Sequence, residues 1–151
     1  MRLEAKKLFE NRFKATRDFG ETLDAVEFKS LSAEENLSLI ASFTEEEIRD
    51  VVWQCEGTKS PGPDGYNFNF FKKTWEVIKD EVVIVVSLFY ETGCIPKGCN
   101  ASFIAMIPKV RDPSKLEQYR PISLVGAMYK IIVKVMADRI KKVLPSVIDE
   151  S

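Results

Sequence analysis

The sequence predicts an α+β fold that is dominated by helices and contains one short antiparallel β hairpin. Apolar residues from Phe68 to Phe89 recur at alternating spacings of three and four, the pattern of a long helix with one buried stripe. Two short apolar runs, 103–108 and 119–124, flank a turn at 111–115 and suit two strands that pair. A further helical pattern fills 125–144, so the predicted order is helices, a hairpin and a helix.

The N-terminal part is predicted to contain two helices joined by a loop. Residues 3–15 carry apolar side chains among charges and should be helical, whereas residues 16–31 are acidic and irregular. Ser32 can cap a short second helix that runs to about Ile40, because Glu35 stands at the capping-box position.

The next helix is marked at both ends. Thr44 and Glu47 have the spacing of a second capping box, and Gly57 is expected to end the helix. Its apolar residues recur at i, i+3, i+4 and i+7 and form one face, made of Ile48, Val51, Val52 and Cys55. The long helix that follows should end at Thr92–Gly93. Its aromatic residues share the buried stripe, which makes them core rather than a base-stacking surface; they are Phe68, Phe71 and Trp75.

The helix predicted for 125–144 has one apolar face and one charged face. The apolar face is expected to be buried and contains Met128, Ile131, Ile132, Val135, Met136, Ile140 and Val143. The charged face contains Lys130, Lys134, Asp138, Lys141 and Lys142. Its lysines could line a phosphate backbone, although such a row is more often a solvated helix face.

Composition excludes several classes of protein. With 45% hydrophobic and 30% charged residues, the 151-residue chain is predicted to be globular. It has no apolar run of membrane or signal-peptide length, so an intracellular protein is expected. Histidine is absent, which removes the commonest general base and the usual zinc ligand set. A disulfide or metal site at Cys94 and Cys99 is disfavoured in a reducing compartment.

The two halves of the chain differ in charge. Residues 1–92 carry 12 Lys and Arg against 18 Asp and Glu, whereas residues 93–151 carry 10 against 5. A basic half in a chain of net charge −1 is a hint of an acidic partner such as nucleic acid. An uneven surface without function would look the same, and charge alone does not separate the two interpretations.

The most distinctive segment is SPGPDG, at 60–65. Two prolines and two glycines in five residues exclude a helix or a central strand. The segment suits a tight turn between two helices. It also suits a loop whose backbone approaches a ligand closely, such as a nucleic-acid strand. Both interpretations stay open on local grounds.

Two cations flank the predicted hairpin. Lys109 follows the proline that ends the first strand, and Arg120 precedes a proline in the second. A lysine and an arginine directed to one site would suit a polyphosphate, because one is a mobile point charge and the other a planar fork. Two solvated basic residues on an exposed hairpin remain the simpler interpretation.

Four segments occur in a characteristic order: SPGPDG, a helix with FFKKTW, FIAMIPK, and EQYRPISLVGAMYKIIVKVMADRIKKVLP. Together they resemble the opening blocks of the reverse transcriptase of non-LTR (LINE-type) retrotransposons, in the form common in plant genomes. The resemblance covers about residue 43 to the end, and the segment before it resembles the region preceding the polymerase core. It implies a lead-in at 1–42 and the fingers and start of the palm of a right-hand polymerase at 43–151.

The resemblance also implies roles for individual residues. Lys109 and Arg120 stand where the family has the cations that meet the incoming nucleotide triphosphate. Contacts to the RNA template and DNA primer are implied for Lys59, Gly62, Asp64, Gly65, Lys130, Lys134 and Arg139. The expected partners are an RNA–DNA duplex, a deoxynucleoside triphosphate and the rest of the polymerase chain, in the nucleus.

The aspartates that hold Mg²⁺ in this family are missing from the sequence. Asp138 lies among lysines and Asp149 near the last residue, so neither is a credible substitute. No catalytic and no metal-binding residue is therefore predicted, the palm is expected to be incomplete, and the chain alone is expected to be inactive. The alternatives are a non-catalytic helical interaction module and an unstable remnant of a mobile element.

Overall fold

The computed structural model describes residues 4, 6, 7, 10, 11 and 14 and residues 29–148. Residues 4, 6, 7, 10 and 11 are helical, in agreement with the first predicted helix. Most of the loop predicted for 16–31 lies outside the described residues, as does Asp149. Residues 29–31 have no regular secondary structure.

Residues 29–148 contain four helices and two strands. In chain order they are α1 (Ala33–Ile40), α2 (Glu45–Gln54), α3 (Phe68–Thr92), β1 (Ser102–Pro108), β2 (Tyr119–Val125) and α4 (Ala127–Val147). A single 3₁₀ turn, Leu116–Gln118, precedes β2. The two strands form one antiparallel sheet. The prediction of a helix-dominated α+β fold with one hairpin is confirmed. No helix among these residues is both long enough and apolar enough to cross a bilayer.

Both predicted capping boxes are present. The Ser32 hydroxyl accepts from the Glu35 N–H at 3.2 Å, and the Ser32 N–H donates to the Glu35 carboxylate at 2.8 Å. Thr44 and Glu47 make the same reciprocal pair at 3.2 and 3.1 Å. Each box satisfies backbone donors that the first turn of a helix leaves without an intrahelical partner, which is why α1 and α2 begin where they do.

Helix α2 ends at Gln54, three residues before the predicted Gly57. Cys55 already has an extended backbone. The ammonium of Lys72 reaches across from α3 and donates to the carbonyl oxygens of Trp53 and Cys55 at 2.9 and 2.7 Å. Because a lysine from another helix satisfies these C-terminal carbonyls, the helix needs no glycine cap.

Helix α3 ends as predicted, with Gly93 in the left-handed region at φ 65°. Its buried face also follows the prediction up to Val82. The alternating spacing places the next residue of the stripe at Val85, but Val86 reaches the centre of the core instead, with 0% exposure. The predicted stripe repeats every 3.5 residues, whereas a straight helix has 3.6 residues per turn. The stripe therefore drifts around the helix, and towards the end of α3 it no longer faces the neighbouring helices.

Helix α4 begins at Ala127, two residues after its predicted start, and ends at Val147, three residues after its predicted end, so it continues past Pro145. Ile140 was predicted to be buried, but it is 52% exposed, while Arg139 is only 8% exposed. Val135, Arg139 and Val143 follow one another at spacings of four, so Arg139 occupies the core-facing position. A buried charge is tolerated there because partners surround it, as described below.

The core lies between α2, α3 and α4. Its completely buried side chains come from all three helices and include Ile48, Val52, Val86, Ile131 and Ile132. Phe68, Phe71 and Trp75 are 3–6% exposed, which confirms that they are core. Helix α1 packs against α4. These elements belong to one compact unit made of residues 29–106 and 121–151.

A second unit contains residues 1–28 and 107–120, and thus the tip of the hairpin. The Lys109 N–H donates to the Gln118 carbonyl at 2.7 Å. This bond joins the residue after β1 to the residue before β2 and closes the tip of the hairpin. Lys109 directly follows β1 and Arg120 is the second residue of β2, so both lie at the hairpin tip.

Candidate nucleic-acid interface

The SPGPDG loop is folded into a β-turn. The Gly65 N–H donates to the Gly62 carbonyl at 3.0 Å, with Pro63 and Asp64 at the two central positions. Proline fixes the backbone angle that the first central position needs. Gly65 has φ 74°, a conformation that residues with a side chain rarely adopt, so the glycine is required there.

Gly62 is buried where the loop meets the start of α4. A Cβ atom at Gly62 would lie 2.5 Å from the Gly126 nitrogen, so only glycine allows this approach. The loop therefore does have the close backbone contact that its composition suggests. The group that it contacts in this structure is the protein itself, at the junction of β2 and α4.

Asp64 caps α4 from a distant part of the chain. Its carboxylate accepts a hydrogen bond from the Ala127 N–H at 2.5 Å. Gly126, the N-cap residue, has no side chain that could do this. A carboxylate at a helix N-terminus is stabilised by unpaired N–H groups and by the helix dipole. The resemblance implied a template contact for Asp64; the structure shows a cap, and the template contact stays a prediction.

Three of the predicted template-contacting residues line one open groove of about 600 Å³. They are Lys59 from the loop and Lys130 and Lys134 from α4; the other lining residues are Gln54, Cys55, Glu56 and Phe68. We refer to this feature as the lysine groove. Lys130 and Lys134 are four residues apart, so they lie on the same face of α4. The Lys130 ammonium donates to the Ser60 carbonyl at 3.4 Å, which ties α4 to the SPGPDG loop.

The other two lysines are paired with carboxylates. The Lys59 ammonium lies 3.6 Å from the Glu56 carboxylate, and both side chains are more than 60% exposed. Lys134 lies 3.4 Å from Asp138, and these side chains are 29% and 25% exposed. Exposed pairs of this kind contribute little to stability, so a phosphate group could replace the carboxylate partner of Lys59 at small cost.

Cys55 lies in the same groove. Burial raises the pKa of its thiol, an effect that the positive charges of Lys134, Lys72, Lys130 and Lys59 only partly offset. The thiol is therefore kept protonated rather than activated as a nucleophile.

Arg139 is not in the lysine groove. Its Nε and Nη2 donate to the Glu47 carboxylate at 3.0 and 2.7 Å. Further bonds reach the carbonyls of Ser42 at 2.8 Å, of Leu39 at 3.2 Å and of Ala41. The guanidinium also lies 4.4 Å from the centre of the Phe43 ring. Arg139 thus joins α4 to the α1–α2 connection. A template contact for Arg139 stays a prediction, and in this structure all three of its guanidinium nitrogens already have protein partners.

The two predicted triphosphate-binding cations are exposed on the hairpin tip. The Lys109 ammonium donates to the Glu117 carbonyl at 2.9 Å. The Arg120 side chain makes no hydrogen bond or ion pair with the part of the chain that the structure describes. Both cations lie at the hairpin tip, and no contact in the structure tests their predicted role.

The described residues do not offer a ligand set for Mg²⁺. Within residues 29–148 and the few described before them, no three Asp, Glu or Cys side chains converge as a metal site would require. The Asp138 carboxylate lies 3.4 Å from Lys134 and 3.7 Å from Lys141, so lysines compensate its charge.

The chain is similar to several proteins of mobile elements. It is 30% identical over 105 residues to the transposon TX1 uncharacterized 149 kDa protein of Xenopus laevis, matching 70% of this chain and 8% of that protein. Its relatives include retrotransposon polymerases. The RNA-directed DNA polymerase from mobile element jockey of Drosophila funebris is 27% identical over 137 residues. The match covers 87% of this chain and 14% of the length of that polymerase. The probable RNA-directed DNA polymerase from transposon BS of Drosophila melanogaster is 29% identical over 139 residues. The match covers 88% of this chain and 14% of the length of that protein.

The chain spans about a tenth of the length of these relatives, from 8% to 14%. No protein-family model matches it. The predicted resemblance to reverse transcriptases of non-LTR retrotransposons is confirmed at the level of these relatives, which come from a frog and from flies. The plant-type form is not among them.

Proposed function

We propose that this chain is part of an RNA-directed DNA polymerase of a non-LTR retrotransposon, of the form common in plant genomes. In this proposal it supplies fingers and the start of a palm, acts in the nucleus, and holds an RNA–DNA duplex and a nucleotide triphosphate. The lysine groove is the observation that carries the proposal. The division into a lead-in at 1–42 and a polymerase segment at 43–151 belongs to the same proposal.

The lysine groove suits a sugar-phosphate backbone. Lys59, Lys130 and Lys134 come from two segments that the loop-to-helix contact holds together. The carbonyl bond of Lys130 is long at 3.4 Å, and Lys59 is 70% exposed, so both ammonium groups can turn to a phosphate. Such contacts read no sequence and depend strongly on salt, as expected for a protein that must move along a template.

A triphosphate would be held at the hairpin tip by Lys109 and Arg120. The exposed guanidinium of Arg120 can form paired bonds to phosphate oxygens, and Lys109 can add a mobile charge. Polymerases of this kind use Mg²⁺ for transfer of the nucleotide. We propose that this metal is held by residues outside the part of the chain that the structure describes. Primer extension by this chain alone with Mg²⁺ should therefore give no product.

Salt-dependent binding of an RNA–DNA duplex tests the proposal. A double variant, Lys59→Ala with Lys130→Ala, should bind more weakly. It should also reduce the slope of log affinity against log salt by roughly 0.9 for each phosphate that a lysine no longer neutralises, and thus by nearly 2. The matched control is Lys73→Ala with Lys97→Ala, which removes the same charge from exposed positions outside the groove. Equal slopes for the two variants would refute a role for the groove.

A non-catalytic helical interaction module is the second candidate. Helix α4 favours it, because Ile140 and Leu144, one turn apart, are 52% and 40% exposed, and Ile148, directly after the helix, is 55% exposed. Such a stripe suits a protein partner. Duplex binding that is absent at low salt, in a chain that is folded, would favour this candidate over the polymerase.

A further inference from the structure

Two aromatic rings are stacked at the surface immediately after the SPGPDG turn. The ring centroids of Tyr66 and Phe70 are 4.3 Å apart, and the ring planes differ by only 26°. Tyr66 is 49% exposed and Phe70 37% exposed. Apolar rings are usually buried, so a stacked pair held at the surface requires an explanation.

Contacts with a buried ring and with the cap of α3 hold the pair in place. Phe70 packs edge-to-face on Phe71 at 5.9 Å, and Phe71 is only 6% exposed. Asn67 caps α3 by accepting the Phe70 N–H at 3.2 Å, which fixes the backbone between the two rings. Gly65 and its turn fix the backbone on the other side of Tyr66. Tyr66 is therefore the outer layer of a stack that is anchored in the core.

The stack lies close to the proposed nucleic-acid contact along the chain. Tyr66 directly follows the turn that docks on α4, and Phe68, two residues on, lines the lysine groove. Phe70 lies on the opposite side of the first turn of α3 from Phe68, because two helical positions differ by about 200°. A strand that leaves the groove would have to pass over the start of α3 to reach Tyr66.

We propose that Tyr66 is a stacking site for one unpaired base of a nucleic-acid strand whose backbone lies in the lysine groove. This inference rests on the proposed function and extends it from phosphate contacts to a base contact. A nucleobase is a flat ring and continues a stack of two near-parallel rings, whereas an aliphatic side chain of a protein partner would not need that geometry. Lysines beside an aromatic platform are the combination found in proteins that bind single strands without reading sequence.

The test compares three RNA–DNA duplexes: blunt, with a single-stranded RNA overhang, and with an overhang that lacks its bases. The wild-type chain should bind the overhang with bases about fivefold or more tighter than the abasic one. Tyr66→Ala should remove that difference, and Tyr66→Phe should retain it. Val77→Ala, which truncates a 79% exposed residue of α3, is the control and should change nothing. 2-Aminopurine in the overhang should lose fluorescence on binding to wild type but not to Tyr66→Ala.

The possible results separate the two proposals. If the wild-type chain binds the blunt duplex in a salt-dependent way but shows no preference for bases over abasic sites, the stacking site is refuted and the groove stands. A preference that persists in Tyr66→Ala refutes it equally. If no duplex binds at low salt, the proposed function fails and the stacking site fails with it. Circular dichroism of each variant shows that a loss of binding is not a loss of folding.

Discussion

At the scale of single residues, Arg139 is the clearest case of a charged side chain that is buried and bonded to other parts of the protein. Its guanidinium is surrounded by the Glu47 carboxylate, by carbonyls from residues 39–42 and by the Phe43 ring. Leu39 lies in the last turn of α1, where carbonyls have no intrahelical donor, and the other two carbonyls, of Ala41 and Ser42, directly follow the helix. One side chain therefore satisfies the end of one helix and pairs with the capping residue of the next.

Replacing Arg139 should destabilise the protein strongly. Arg139→Met keeps apolar packing but leaves Glu47 and several carbonyls without their donor, so we expect a loss of roughly 3 kcal/mol in the free energy of unfolding. Chemical denaturation measures this loss. Arg49→Ala is the control, because Arg49 is exposed and lies over the face of Trp53, and it should cost less than about 1 kcal/mol. Similar losses for both variants would contradict a buried network.

The same pair should make stability depend on acid pH. The hydrogen bond from Arg139 lowers the pKa of Glu47 in the folded protein below its ordinary value, with smaller contributions from the Thr44 cap and nearby cations. A carboxyl whose folded pKa is lowered stabilises the fold above its unfolded pKa, about 4.3, and this stability is lost as the pH falls through the folded pKa. Denaturation at pH 7 and pH 3 should show a larger loss for wild type than for Glu47→Gln, and equal losses would count against the pair.

At the scale of elements, the decisive contact joins a loop to the start of a helix. The SPGPDG loop places the Asp64 carboxylate on the first N–H of α4, while Gly62 lets the two backbones touch. This contact also brings Lys59 and Lys130 to the same groove. The prolines and glycines of the loop therefore serve both interpretations that the sequence left open: they form a tight turn, and they allow a close approach.

Asp64 can be tested by two substitutions of different chemistry. Asp64→Asn keeps an oxygen that can cap α4, so it should change the free energy of unfolding by only a few tenths of a kcal/mol, whereas Asp64→Ala should cost about 1 kcal/mol. If Asp64 acts only as a cap, Asp64→Asn should also leave duplex binding at least as tight, because a negative charge near phosphate is removed. A large loss of binding in Asp64→Asn would instead indicate that the carboxylate contacts a ligand.

At the scale of the whole molecule, local patterns predicted the elements well and the pairing of distant groups poorly. The capping boxes at Ser32 and Thr44 and the glycine at 93 are local signals, and each helix end that they mark is confirmed. The end of α2, the burial of Val86 and the burial of Arg139 depend on Lys72, on the drift of a long helix and on Glu47. Such tertiary partners override local preference.

In the candidate site, too, individual residues were predicted, and the contacts between distant residues were not. Lys59, Lys130 and Lys134 were predicted one by one from the resemblance, and the structure brings them to one groove. The cap made by Asp64 could not be predicted, because it joins residues 63 positions apart. A faint signal exists in Gly126, which begins a helix without a capping side chain and so requires an acceptor from elsewhere.

Thermal unfolding tests whether the chain is a folded unit or an unstable remnant. The core of α2, α3 and α4 contains at least five side chains with 0% exposure, drawn from all three helices. We expect a sharp transition that coincides by circular dichroism and by tryptophan fluorescence, because Trp75 lies in that core. A broad melt in which the two probes disagree would favour the unstable remnant.

The contact between the SPGPDG loop and α4 also has a kinetic meaning. It closes a stretch of about 60 residues that contains all of α3 and the hairpin, and closing so long a stretch costs chain entropy that local helix formation does not. The start of α4 is therefore expected to become ordered after α3, and to open first when the molecule fluctuates. The amide proton of Ala127, held only by Asp64, reports on this event alone. Its rate of exchange with deuterium would report how often the loop detaches from α4 while the rest of the protein stays folded.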